Sequence, residues 1–304
     1  MHWVLEPGFV SSAPVRTALV IGAVVAVVSA VVGVFTVVRG QSFAGHALTD
    51  VATTGGSAAF LLSVNPLLGF IGGCVIGSGA MDVIGVQRVR GRDVATGIVL
   101  GASTGMAALF LYLSATSSST TGVSQQILFG SIFTISSSTI AVVVLLGAGT
   151  LALLAAAYRP LLLSSVSPDI AAARGVRVRL VGVGFLASLA VAVGLASLAI
   201  GSILSTALLI GPPATALRLT KRVASAMLVA SLIGAGSTWA GILLAYDSYY
   251  WGSSQNGLPV SFFIVGVIFL VYLASGLRPG RRNAARTDAA GDPHLCGVEA
   301  GTEP

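Results

Sequence analysis

The chain has 304 residues, of which 55% are hydrophobic and only 9% are charged, and its mean hydropathy is +0.95. So apolar a composition excludes an ordinary soluble globular domain. The net charge of +6 comes from basic residues in short clusters between apolar runs. This pattern is typical of the cytoplasmic loops of membrane proteins and does not indicate nucleic-acid binding.

Long apolar runs predict an all-α, polytopic membrane helical bundle, because a helix needs about 20 apolar residues to cross a bilayer core. The runs do not alternate in polarity, as the strands of a β-barrel would. Their predicted bounds are 17–38, 44–64, 66–86, 94–115, 131–157, 180–199, 201–217, 223–245 and 259–276. Gly201 and Ser202 form only a short separator, so the sixth and seventh runs can also be one long bent helix, which lowers the count from nine to eight.

The positive-inside rule assigns an orientation to these spans. With the N-terminus outside and the C-terminus in the cytoplasm, Arg16 is the one basic residue of sixteen that lies outside. We expect residues 1–15 to be an external segment, 16–277 to form the transmembrane domain, and 278–304 to be a disordered cytoplasmic tail. The first residues lack the basic start of a cleavable signal peptide, so we expect the first span to be retained.

His46 and Asp50 stand four residues apart in the second predicted span, which places both side chains on one helix face. Ionisable groups inside a membrane are costly, so the pair is a candidate functional site. An imidazole with a carboxylate suits zinc, manganese or ferrous iron, whereas alkali-cation sites use oxygen alone. The alternative is a structural hydrogen bond in which Asp50 fixes the imidazole tautomer without any metal.

Other motifs concern helix ends and packing. Ser167, Pro168 and Asp169, followed by a run that ends at Gly175, predict a short cytoplasmic helix over about 167–176. Gly69, Gly73 and Gly77 recur every fourth residue and predict a close helix contact.

Pro212 and Pro213 predict a helix break, which either frees carbonyl groups to line a cavity or ends the span before Arg218. The chain contains no phosphate-binding loop with a lysine followed by Ser or Thr, so it does not hydrolyse ATP by that chemistry.

Three segments together resemble the permeases of bacterial zinc and manganese ABC importers, a family similar in plan to the vitamin B12 and siderophore permeases. They are Val37–Phe43 leading into His46, then Ser167–Val176, then Gly201–Ala216. The resemblance covers roughly residues 15–276.

The resemblance implies a multi-pass permease in the bacterial plasma membrane, not an enzyme, which passes a divalent metal ion from an external metal-binding protein to the cytoplasm. It implies two cytoplasmic ATP-binding subunits and a second permease chain, identical or paired. No cofactor is expected beyond the transported ion. The helix that docks on the ATPase would contain Ser167, Pro168, Asp169, Arg174 and Gly175.

The chain departs from the family pattern at Ser42, where family members commonly carry an aspartate four residues before the histidine. Asp50 stands four residues after the histidine on the same face, and our hypothesis is that it replaces the missing carboxylate. The expected metal pathway is therefore His46 with Asp50, and Ser42 and Gln41 are its expected neighbours.

Three other functions stay open at this stage. An ABC permease for an iron chelate or a cobalamin-like compound would need a wider pathway without metal ligands. A gradient-driven secondary transporter could use His46, Asp50 and Asp82 as a relay. A structural membrane subunit would tolerate the loss of both His46 and Asp50.

Overall fold

The computed structural model describes residues 12–84, 92–117, 122–130, 132–248 and 258–277, and helices form the regular structure in these ranges. In chain order they are α1 (Ala13–Val38), α2 (Ser42–Leu61), α3 (Pro66–Ile84), α4 (Arg92–Ser117), α5 (Val123–Phe129), α6 (Ser138–Ala156), α7 (Tyr158–Val166), α8 (Pro168–Ala173), α9 (Val178–Ile200), α10 (Ser202–Leu219), α11 (Val223–Ser248) and α12 (Val260–Gly276). A single 3₁₀ turn, Ile132–Thr134, precedes α6.

Seven of the described helices are long and apolar enough to cross a membrane, namely α1, α3, α4, α6, α9, α10 and α11. The polar side chains of α2 lower its hydropathy, and α12 has 17 residues. With these two helices the described part of the chain covers all nine predicted spans, so the predicted polytopic helical bundle is confirmed. The orientation of the termini stays a prediction, and residues 1–11 and 278–304 lie outside the described ranges.

The centre of the bundle is built on α1 and α9, whose most apolar stretches are 67% and 72% buried. Both helices are rich in Ala, Val, Leu and Gly, which allow neighbours to pack on every side. Phe35, Leu48, Phe185 and Leu189 belong to one large buried cluster around them. The outer helices α4 and α6 leave large apolar side chains exposed, as lipid-facing helices do.

The glycine stripe of α3 packs closely on α2, as predicted. A β-carbon built on Gly69 would lie 2.4 Å from the carbonyl oxygen of Gly55, and one on Gly73 would lie 2.9 Å from the Gly55 α-carbon. The two backbones are therefore in contact, because small residues let membrane helices approach closely where they cross. This contact holds the more polar α2 inside the bundle.

The sixth and seventh predicted spans are separate helices, so the reading as one long helix is wrong. Gly201 adopts φ +86° between them, a conformation that glycine takes without a steric penalty. A β-carbon there would lie 2.3 Å from the Leu128 carbonyl oxygen, because the turn presses against the end of α5. The helix α5 begins at Val123, between the fourth and fifth predicted spans, where no helix was predicted.

The predicted helix break at Pro212 and Pro213 is not found, since α10 runs through both residues to Leu219. Proline removes the amide hydrogen that would bond to the carbonyl four residues earlier, here at Leu208 and Leu209. A β-carbon added to Gly33 of α1 would lie 1.9 Å from the Leu209 carbonyl oxygen. The released carbonyl thus packs against the bare backbone of α1, and this close neighbour supports α10 across the prolines.

Helix α6 begins at Ser138, seven residues later than the predicted span. The hydroxyl of Ser136 lies 2.9 Å from that of Ser138 and 3.0 Å from that of Thr139, and Gly130 has φ +74°. These side-chain bonds compete with helix formation, so Ser136 lies before the helix, and Ser138 and Thr139 belong to its first turn.

Candidate metal site and coupling elements

One face of α2 carries a polar stripe with a repeat of four residues, formed by Ser42, His46, Asp50 and Thr54. His46 is exposed in the single chain, and the other three side chains are half-buried. The structure therefore places both residues of the predicted metal pair on one face, one helical turn apart. Gln41 is only 4% exposed, so this predicted neighbour lies buried at the turn before α2 and outside the stripe.

Threonine hydroxyl groups surround His46 and orient its ring. The Nδ1 atom of His46 lies 3.2 Å from Oγ1 of Thr206 on α10. Thr49 donates its proton to the His46 carbonyl oxygen at 2.6 Å, and Thr206 donates to Oγ1 of Thr49 at 3.4 Å. The hydroxyl of Thr206 thus lies within hydrogen-bond distance of the ring, and which of the two groups donates depends on the tautomer of His46. In the tautomer with its proton on Nδ1, the Nε2 atom would carry the lone pair that binds a cation.

The carboxylate of Asp50 is held from the opposite side of the stripe. Thr104 on α4 donates to its Oδ2 atom at 2.6 Å, a short hydrogen bond of the kind made to a charged acceptor. The same hydroxyl lies 2.8 Å from the Leu100 carbonyl oxygen, so its single proton is shared between two acceptors. His46 and Asp50 are therefore each held by a hydroxyl from a different helix. The alternative, a hydrogen bond between the Asp50 carboxylate and the His46 imidazole, is not formed in this structure.

Neighbouring polar residues on the inner side of α2 are satisfied within the helix. Thr53 donates to the Thr49 carbonyl oxygen at 3.0 Å, and Ser57 donates to the Thr53 carbonyl oxygen at 2.7 Å. All three side chains are buried. The inner row therefore has its hydrogen bonds within the protein, and the stripe of Ser42, His46, Asp50 and Thr54 is the more accessible polar face of α2.

The described residues contain no cluster of three or more His, Cys, Asp or Glu side chains that could enclose a metal ion. His46 and Asp50 would supply two protein ligands, whereas closed transition-metal sites use four. Cys74 is buried, and its Sγ atom contacts the Leu48 carbonyl oxygen at 3.5 Å, away from the stripe. A metal ion at this face would complete its shell with water, hydroxyl groups or ligands of another chain.

The predicted short helix is present as α8. Ser167 caps it by accepting a hydrogen bond from the Ile170 amide at 3.4 Å, Pro168 begins it, and Gly175 after it has φ +78°. Asp169 and Arg174 are exposed. These are the start and stop signals that the sequence carries.

Arg39 ties this region to the candidate metal site. Its guanidinium donates to the hydroxyls of Ser164 at 3.1 Å and Ser165 at 3.4 Å, both on α7 immediately before α8. The same group lies 5.2 Å from the ring centre of Phe185 on α9. Arg39 also stands three residues before the start of α2. In the sequence, Arg39 is one of the basic residues placed in the cytoplasm and lies in the Val37–Phe43 segment that carries the family resemblance, but nothing there indicates its partners.

A cavity of about 590 Å³ opens at the other end of α2. Its wall includes the polar side chains of Asn65, Gln126, Thr134, Ser136 and Thr139. The rise of a helix, about 1.5 Å per residue, puts Leu61, the last residue of α2, roughly 22 Å from His46, and Asn65 follows in the turn beyond it. The cavity therefore lies at the end of the bundle opposite the basic clusters.

The fold is that of a multi-pass membrane protein, and its helix α2 carries a histidine and an aspartate on one face. A model of the ABC 3 transport family matches residues 12–276. The manganese transport system membrane protein MntC of Listeria innocua is 31% identical over 234 residues, covering 76% of this chain and 81% of that protein. The manganese import system permease protein ScaB of Streptococcus parasanguinis is 29% identical, with the same coverage of each chain.

The chain belongs to the ABC 3 transport family, and it is a transport subunit of the bacterial plasma membrane. The structure of PsaBC from Streptococcus pneumoniae in complex with Fab has the same fold, with a TM-score of 0.74 and 23% identity. That likeness covers 92% of this chain and 97% of the other. The resemblance noted from the three sequence segments is confirmed.

Proposed function

We propose that this chain is the membrane-spanning permease of an ATP-driven importer of divalent transition-metal ions, with manganese as the first candidate and zinc as the second. The observation that carries the proposal is the His46–Asp50 pair, in which an imidazole and a carboxylate, each within hydrogen-bond distance of a threonine hydroxyl of another helix, share one helix face. Family membership and the names of the relatives support manganese. An imidazole nitrogen with a carboxylate oxygen is a donor set that suits these ions.

Incomplete coordination suits transport, because a closed four-ligand cage would hold the ion too tightly for release. A second permease chain that brings the same face to a two-fold axis would add a second histidine and a second carboxylate. Such a site forms only where two chains meet, and the exposure of His46 in the single chain supports this arrangement. The ion would then pass between the chains and not through one of them.

ATP hydrolysis is assigned to separate cytoplasmic subunits that dock on α8. Val166, the last residue of α7, and Ile170 on α8 are 78% and 53% exposed, which supports a protein partner here. Arg39 would transmit a displacement of α7 and α8 to the turn that begins α2. The polar cavity at the other end of α2 would receive the ion from an external metal-binding protein.

The substrate class is tested by ATP-dependent uptake in proteoliposomes that contain this permease, its ATPase and its binding protein. Uptake of Mn²⁺ or Zn²⁺ should require ATP and the binding protein, and an ATPase variant unable to hydrolyse ATP is the control. Uptake of an iron chelate or cobalamin in place of the bare ions would contradict the proposal. Uptake driven by a proton gradient without ATP would contradict it as well.

A further inference from the structure

An apolar groove of about 500 Å³ runs along the bundle between α1, α6 and α11. Its walls are formed mainly by Val27, Val31, Leu151, Leu154, Met227 and Leu228. On α1 the lining extends from Val27 to Phe35, which corresponds to about 12 Å of helix. The groove therefore has the shape and surface of a trough for a stretch of hydrocarbon chain, and it takes no part in the candidate metal site.

One end of the groove is basic. Tyr158 and Ala224 line it there, and the neighbouring cations in the chain are Arg159 beside Tyr158, and Lys221 and Arg222 just before α11. All three cations are exposed. No Asp or Glu occurs in residues 13–38, 138–168 or 219–246, so the segments that form the groove provide no acidic side chain to balance them. The N-terminus of α11 adds its partial positive charge at the same end.

We propose that this groove is a binding site for an anionic phospholipid, with one acyl chain in the trough and the phosphate group at Arg159, Lys221 and Arg222. Basic pockets at the membrane interface between helices favour acidic headgroups over zwitterionic ones. A second copy of this chain fits the groove poorly. A two-fold contact in the membrane would bring two of these basic clusters together at the same interface.

The headgroup part of the site is tested with the full-length chain by native mass spectrometry after titration with phosphatidylglycerol or phosphatidylcholine. The wild-type protein should retain phosphatidylglycerol in preference to phosphatidylcholine. The double variant Lys221→Gln with Arg222→Gln should lose about fivefold of this preference per cation removed. The double variant Arg177→Gln with Arg179→Gln removes the same charge from exposed positions at the start of α9 and should retain the preference.

The acyl part is tested by filling the trough. Ala155→Trp places a large side chain in the groove, whereas Ala156→Trp adds the same bulk at an exposed neighbour that does not line it. Ala155→Trp should reduce lipid retention and Ala156→Trp should not. The proposal is overturned if both double variants lower the preference equally, or if Ala155→Trp leaves lipid retention unchanged. A loss of dimer mass in Ala155→Trp with unchanged lipid retention would identify the groove as a contact between chains instead.

Discussion

Replacing Thr104 with valine removes the hydroxyl that orients Asp50 and keeps the shape of the side chain. Hydrogen bonds to charged groups contribute about 1.5–3 kcal/mol. Thr104 is exposed and shares its proton with the Leu100 carbonyl oxygen, so we expect a smaller effect of about 1 kcal/mol, which is roughly a fivefold weaker metal affinity. The charge of Asp50 is retained, so binding should weaken and not disappear.

The measurement is direct binding of Mn²⁺ to the purified permease, followed by the electron paramagnetic resonance signal of the free ion. Direct binding is preferred because the external binding protein would govern the concentration dependence of uptake. Thr104→Ser retains the hydroxyl and should bind like wild type. Thr116→Val is the matched control on α4, since the Thr116 hydroxyl bonds only to carbonyl groups of its own helix among the described residues. Equal affinity in Thr104→Val and wild type would refute the positioning role.

Three further predictions concern packing and coupling. Gly33→Ala places a methyl group 1.9 Å from the Leu209 carbonyl oxygen, where contact needs about 3.3 Å, so α1 and α10 must separate and thermal stability in detergent should fall; an unchanged melting temperature would contradict the close contact. Arg39→Gln should reduce the metal-stimulated ATPase activity of a complex that still assembles, because it removes the hydrogen bonds to α7. Arg177→Gln should leave this ATPase activity unchanged. An equal loss of ATPase activity in both variants would exclude a specific link through α7. Ser167→Ala should cost α8 about 1 kcal/mol of cap stabilisation and reduce the amount of ATPase recovered with the permease. Ser167→Thr keeps a capping hydroxyl and should recover as much ATPase as wild type. Equal recovery of the ATPase with wild type and both variants would show that the cap is not needed for docking.

The helical bundle could be predicted from the sequence because length and hydropathy are local properties of each span. The stripe of Gly69 and Gly73 also predicted its close contact, since the absence of side chains is visible without a partner. Pro212 and Pro213 were misleading for a physical reason. Their effect depends on whether a neighbour supports the helix across the lost bonds, and that neighbour, Gly33, is nearly 180 residues away.

The candidate site was half visible in the sequence. The spacing of His46 and Asp50 placed both on one face, because a four-residue repeat is intrinsic to a helix. Thr104 and Thr206 were missed, since threonines are common in membrane helices and most bond to their own backbone. Only the packing of α4 and α10 against α2 distinguishes these two hydroxyls from the rest.

The most direct test of the proposed metal pathway is the initial rate of Mn²⁺ uptake at saturating metal-loaded binding protein, for wild type, His46→Ala and Asp50→Ala in the complete transporter. Equal expression and equal recovery of the ATPase subunit are the controls. The proposed pathway predicts that each variant loses about tenfold or more of the uptake rate while the complex stays assembled. Normal uptake by both variants would show that the ion does not pass this pair.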